Sequence, residues 1–119
     1  MTVSGNVQIA SAVALALAVA GCDAGPPSTA QLATLRPADA RLKQKYEHSC
    51  KACHAMPGSG APLVHDNSAG NPRWAKGLAV LRDHAIVGFQ AMPAGGQCAV
   101  CTPTDYEQLI RFMADREEK

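Results

Sequence analysis

Two cysteine pairs share C-x-x-C spacing, "CKACH" at 50–54 and "GGQCAVCTP" at 95–103, and only the first is followed by a histidine. C-x-x-C-H is the pattern of covalent c-type haem attachment. Two thiols three apart can add to the two vinyl groups of one porphyrin, and the adjacent imidazole then falls beneath the iron as an axial ligand. Cys50, Cys53 and His54 are the residues for those roles. The blander readings are a dithiol redox pair, or one zinc site made from both C-x-x-C pairs, whose separation is far from zinc-ribbon spacing.

A haem iron needs a sixth ligand or an open site, and the chain has four methionines. Met1 would leave with any cleaved leader, Met56 stands two residues from His54 and cannot easily reach the opposite haem face, and Met113 falls on the apolar stripe of a helix. Met92, in the Gly- and Pro-bearing loop "GFQAMPAGG", has the slack to cross the haem edge and return. His65 is the alternative ligand, while His48 and His84 read as solvated helix residues. Met/His ligation raises the potential and leaves no coordination position for a substrate, which favours one-electron transfer. The competing expectation is a haem enzyme or gas-sensing domain with a displaceable sixth ligand.

The elements that must carry these residues read as helices. Pro37 suits a first helical turn, Asp39 favours a helix start, and Leu42 and Tyr46 share one face of a helix running into "SCKACH". A second helix is expected from about 73 to 87, with Leu78, Leu81 and Ala85 on one side and Gly88 to end it. The last is the clearest. Thr102 can cap it, Pro103 fits its first position, Asp105 completes a T-x-x-D box, and Tyr106, Leu109, Ile110 and Met113 follow i, i+3, i+4, i+7. "AMPGSGAPLVHDNSAGNP" is rich in loop formers and reads as a long loop that needs something to wrap around. No alternating strand pattern appears, so the fold class is all-α.

With 119 residues the chain holds one small domain, and with a net charge of +1 it has no nucleic-acid footprint. Phe, Trp and Tyr make up only 4%, so burial of side chains alone would leave the core marginal. Five cysteines favour an oxidising compartment. Cys22 closes the apolar run "VQIASAVALALAVAGC", which has the shape of a secretory leader although "MTVSGN" lacks Lys and Arg. Val19-Ala20-Gly21-Cys22 resembles a bacterial lipobox, which implies cleavage before Cys22 and its acylation. The alternatives are cleavage elsewhere, giving a soluble periplasmic protein, or an uncleaved anchor. "DAGPPSTAQLATL" then reads as a tether. The expected layout is a signal peptide over 1–21, a flexible tether over 22–36, and one haem-binding domain over 37–119.

The segments "YEHSCKACH", "GAPLV", "PRWAKGL", "AMPAGGQCAVC" and "DYEQLIRFM" together resemble class I c-type cytochromes, most closely the short bacterial cytochrome c-five type. The resemblance implies three to four helices around one covalent haem c. It also implies a disulfide between Cys98 and Cys101, and that the Pro62 carbonyl holds the free N–H of His54. Arg73 and Trp74 would stand near the haem propionates, although the order "NPRW" departs from the family spacing. Helices at the two ends of the domain would cross. The implied function is that of a non-catalytic one-electron carrier on the periplasmic side of a bacterial membrane, lipid-anchored through Cys22. Its partners would be electron donor and acceptor proteins, with no nucleic acid and no small-molecule substrate. Lys43, Lys45, Lys51 and Lys76 are candidates for a mildly positive docking rim.

Overall fold

The computed structural model describes Met1 and residues 25–117, so the leader expected over 1–21 and the acylation expected at Cys22 lie outside the described residues. The helices are α1 (Thr29–Thr34), α2 (Ala40–Lys45), α3 (Lys51–His54), α4 (Asn67–Trp74), α5 (Leu78–Val87) and α6 (Pro103–Met113). A π-helical stretch, Tyr46–Cys50, joins α2 to α3, and a 3-10 turn, Ala94–Gln97, precedes α6. Among the described residues, extended pairing is confined to one isolated bridge between Phe89 and Met92. The architecture is all-α.

The Asp39 side chain starts α2 by accepting from the Leu42 N–H at 2.8 Å. At the end of the π-helical stretch the Lys51 N–H reaches back to the Tyr46 carbonyl, five residues away. One extra residue in that turn rotates α3 by about 100°, so "CKACH" does not continue the face that Leu42 begins. The Ser49 hydroxyl donates to the Lys45 carbonyl at 2.5 Å inside the widened stretch.

α6 forms as its sequence dictates. The Thr102 hydroxyl accepts from the Asp105 N–H at 3.2 Å, Asp105 accepts from the Thr102 N–H at 2.8 Å, and Pro103 occupies the first turn. This helix packs against both α2 and α5. Leu42, Tyr46, Val64, Leu109 and Phe112 are buried at the α2–α6 crossing, with the Tyr46 and Phe112 rings edge to face at 5.1 Å. Asp105, only 1% exposed, takes ion pairs from Arg41 and Lys45 and so ties the first turn of α6 to α2. Lys45 is therefore engaged inside the fold and is not a docking-rim lysine.

Two expectations need correction. The flexible tether drawn through residue 36 ends earlier, because Ser28 and Gln31 form a capping box on α1 and Leu32 is fully buried in the same core as Tyr46 and Phe112. Arg36 fastens this segment by pairing with Glu47 at 2.6 Å and lying over the Tyr46 ring at 5.9 Å. The single helix expected from 73 to 87 is two. Asp66 caps α4 by accepting from the Ser68 and Ala69 N–H groups, which makes a helix of "NSAGNP", expected as loop. Gly77, at φ 93°, breaks the chain before α5, and Gly88 ends α5 with its N–H on the His84 carbonyl at 2.9 Å.

Candidate haem-binding site

The π-helical stretch and α3 present Cys50, Cys53 and His54 within little more than one turn. Both thiols are free. Cys50 packs against the core, where burial pushes its thiol up and a contact with the Ser49 hydroxyl partly opposes the rise; Cys53 is exposed. His54 is half-buried, with Nδ1 2.8 Å from the Pro62 carbonyl oxygen. A carbonyl can only accept, so Nδ1 carries the proton and Nε2 keeps its lone pair for a metal. Burial lowers the His54 pKa, the Pro62 carbonyl opposes that, and Arg73 adds to it, leaving the imidazole neutral. A second clamp runs from the Val64 N–H to the His54 carbonyl at 2.8 Å.

Met92 stands in a loop that is held at every few residues. Phe89 and Met92 exchange N–H···O bonds of 3.1 and 2.9 Å across a tight turn with Gln90 at φ 53°. After Pro93 the chain passes through positive φ at Gly95, Gly96 and Gln97. A Cβ on Gly96 would stand 2.8 Å from the Met92 Cε, so the thioether lies directly on that glycine. Cys98 and Cys101 are joined in a disulfide, which closes the loop onto the start of α6. Bridged in this way, they are not ligands of a zinc site, and that alternative falls.

The remaining sequence candidates are dispersed. His65, at φ 59°, donates its backbone N–H to the Met113 carbonyl and stacks edge-on against Phe112 at 5.2 Å, with Nε2 buried and unpartnered. Arg73 is exposed and bonds to the Ala69 carbonyl, whereas Trp74 lies beneath the Arg111 guanidinium at 5.8 Å. An open cleft of about 490 Å³ brings Pro62, Leu63, Asp66 and Arg73 together, without His54, Met92 or Trp74. His84 is not a solvated surface residue, because its ring stacks on Phe89 at 4.0 Å; His48 is exposed. Lys76 sits over the Phe89 ring at 5.8 Å.

Sequence reasoning missed Tyr106, placing it only on the apolar stripe of α6. Its hydroxyl lies 2.9 Å from the Gly95 carbonyl and 3.1 Å from that of Cys98. Tyr46 likewise reads in the sequence as a plain core residue. It is fully buried one turn before Cys50, its hydroxyl has no partner within the protein, and burial pushes its pKa up to about 12, against a smaller opposing effect of Arg36. A covalent haem fits the donors present: two free thiols at C-x-x-C spacing, an imidazole with Nε2 left open and a thioether on a glycine floor. Among the described residues no group of three or more His, Cys, Asp or Glu could hold a bare ion.

Fold and site thus define a small helical protein built to hold one haem on a C-x-x-C-H turn, and comparison with known proteins agrees. A family described as cytochrome c oxidase, cbb3-type, subunit III, matches residues 37–113. Cytochrome c-555 of Chlorobaculum tepidum is 32% identical over 80 residues, 64% of this chain and 74% of that one. Cytochrome c5 of Ectopseudomonas mendocina is 36% identical over 67 residues, covering 55% and 77%. A crystal structure of an electron transfer complex of nitrite reductase with cytochrome c contains a chain that superposes with a TM-score of 0.58 at 27% identity, covering 66% of this chain and 95% of that one. The chain belongs to the class I c-type cytochromes. It carries one covalently attached haem c and works in electron transfer.

Proposed function

We propose that this cytochrome is a one-electron carrier without catalysis of its own, in which Cys50 and Cys53 form the thioether bonds and His54 and Met92 are the axial ligands. The observation that carries the reading is the 2.8 Å bond between His54 Nδ1 and the Pro62 carbonyl, which aims an unprotonated Nε2 away from the protein backbone. The haem supplies a single reversible electron at its iron. The protein's part would be to orient the imidazole through the Pro62 carbonyl and to offer the Met92 thioether as a further ligand, which would leave substrates no coordination position. Electron exchange with donor and acceptor proteins then needs only a small, short-lived interface. The solved relative, in its complex with nitrite reductase, is an example of such a meeting. The test is carbon monoxide binding to the reduced protein at neutral pH. A closed six-coordinate site resists it, and ready binding would replace the carrier with the gas-sensing or enzymatic reading.

The carrier is placed on the periplasmic side of a bacterial membrane, held by acylated Cys22 after cleavage of residues 1–21. The support is the sequence "VAGC" and the five cysteines, one pair of them disulfide-bonded. Since the folded domain starts at Ser28 and not at Pro37, only five residues separate it from Cys22, a reach of about 18 Å at most. The domain stays close to the bilayer. Mass spectrometry of the mature protein should find an acylated Cys22 as its first residue; an unmodified Cys22 would overturn the acylation, with the mature N-terminus deciding between the soluble protein and the uncleaved anchor.

A further inference from the structure

We propose that Tyr106 is a positioning residue for Met92, setting how firmly the thioether holds the sixth coordination position of the iron. The inference rests on the reading of Met92 as axial ligand. Tyr106 is carried by α6, the most completely specified helix of the fold, and its half-buried ring brings the phenol O–H to the Gly95 and Cys98 carbonyls. One proton is shared between two acceptors, one on the first residue of the Gly95–Gln97 turn and one on the residue that follows it. That turn has three successive residues at positive φ, 72°, 53° and 62°, a conformation with little intrinsic preference for the last of them. It is held from outside, by the Cys98 N–H on the Gly95 carbonyl at 2.9 Å, by the disulfide, and by Tyr106.

The same turn is the surface on which Met92 rests. Gly96 lies so close under the thioether methyl that a side chain there would overlap it, and a Cβ on Gly95 would press the Tyr106 oxygen at 3.3 Å. The order of contacts is therefore α6, Tyr106 hydroxyl, Gly95 carbonyl, Gly96 backbone, Met92 Cε. For another ligand to displace the thioether, the turn must shift, and the phenol bonds must break with it. Removing those bonds should ease displacement while leaving the donor atoms themselves unchanged.

The experiment uses the full haem-loaded protein and titrates the oxidised form with imidazole, following the long-wavelength thioether-to-iron band. Tyr106→Phe deletes only the hydroxyl. It should keep the band in the absence of imidazole and bind imidazole about five-fold more tightly than the unmodified protein, the equivalent of one ordinary hydrogen bond. Gly96→Ala, which pushes a methyl group from the turn into Met92, should change affinity in the same direction. A merely structural tyrosine would lower the denaturation midpoint without moving imidazole affinity, so an affinity within about two-fold of the unmodified protein, in Tyr106→Phe preparations that keep the band, would overturn the proposal alone. Met92→Ala run in parallel identifies the other failure. If the unmodified protein lacks the band and Met92→Ala changes nothing, the ligand assignment falls, and the role of Tyr106 with it.

Discussion

Asp105 shows how much one side chain can carry. Burial by itself would raise its pKa, but the Lys45 ammonium, the Arg41 guanidinium and the Thr102 N–H and hydroxyl overcome that and hold it well below the usual carboxylate range. A carboxylate whose folded pKa is depressed stabilises the fold fully above its unfolded value, near pH 4, and that contribution disappears as pH falls toward the folded value. Acid titration of unfolding should therefore show the native protein losing more stability between pH 5 and pH 2 than Asp105→Asn does. Asp105→Ala strands Lys45 beside an emptied site and removes half of a capping box, so denaturant unfolding should register a loss of about 3 kcal/mol. The capping role was readable in T-x-x-D, and "CKACH" likewise announces its chemistry. The ion pairs were not readable, because Arg41 and Lys45 lie 64 and 60 residues away along the chain and only the α2–α6 crossing unites them. Tyr106 was hidden for a related reason, since an aromatic on an apolar stripe gives no sign of where its hydroxyl points.

Among the elements, α6 could be read from its sequence because cap, proline and apolar period all agree. α1 could not, since one leucine in six residues makes no period, and what fixes it is the hole that Leu32 fills beside Tyr46 and Phe112. Residues 29–34 also lie outside the 37–113 stretch that matches the family. Leu32→Ala should cost about 3 kcal/mol by chemical denaturation, whereas a flexible tether would make the substitution neutral. α4 escaped sequence reading because it has no apolar face, its limits being set by the Asp66 cap and the Gly77 break. The disulfide closes a loop of few residues. Replacing Cys98 and Cys101 together by serine should lower unfolding stability by about 2 kcal/mol, and its larger effect should fall on the Met92 loop.

For the molecule as a whole, the buried side chains gather at the crossing of α2 and α6 with Leu32 and Val64, while α5 contributes only Ala85 to the fully buried set. The scarcity of aromatic residues in the sequence already implied that the chain could not supply a full core by itself, and haem c is the group that completes it. The proposed haem assignment has one group bonded to Cys50 and Cys53 and ligated by His54 and Met92. Its most direct test is the absorption spectrum of the purified, exported protein, oxidised and then reduced. The expected result is a low-spin six-coordinate c-type spectrum with a thioether band in the oxidised form. A high-spin spectrum without that band, or a colourless protein whose Cys50 and Cys53 remain open to alkylation, would contradict it.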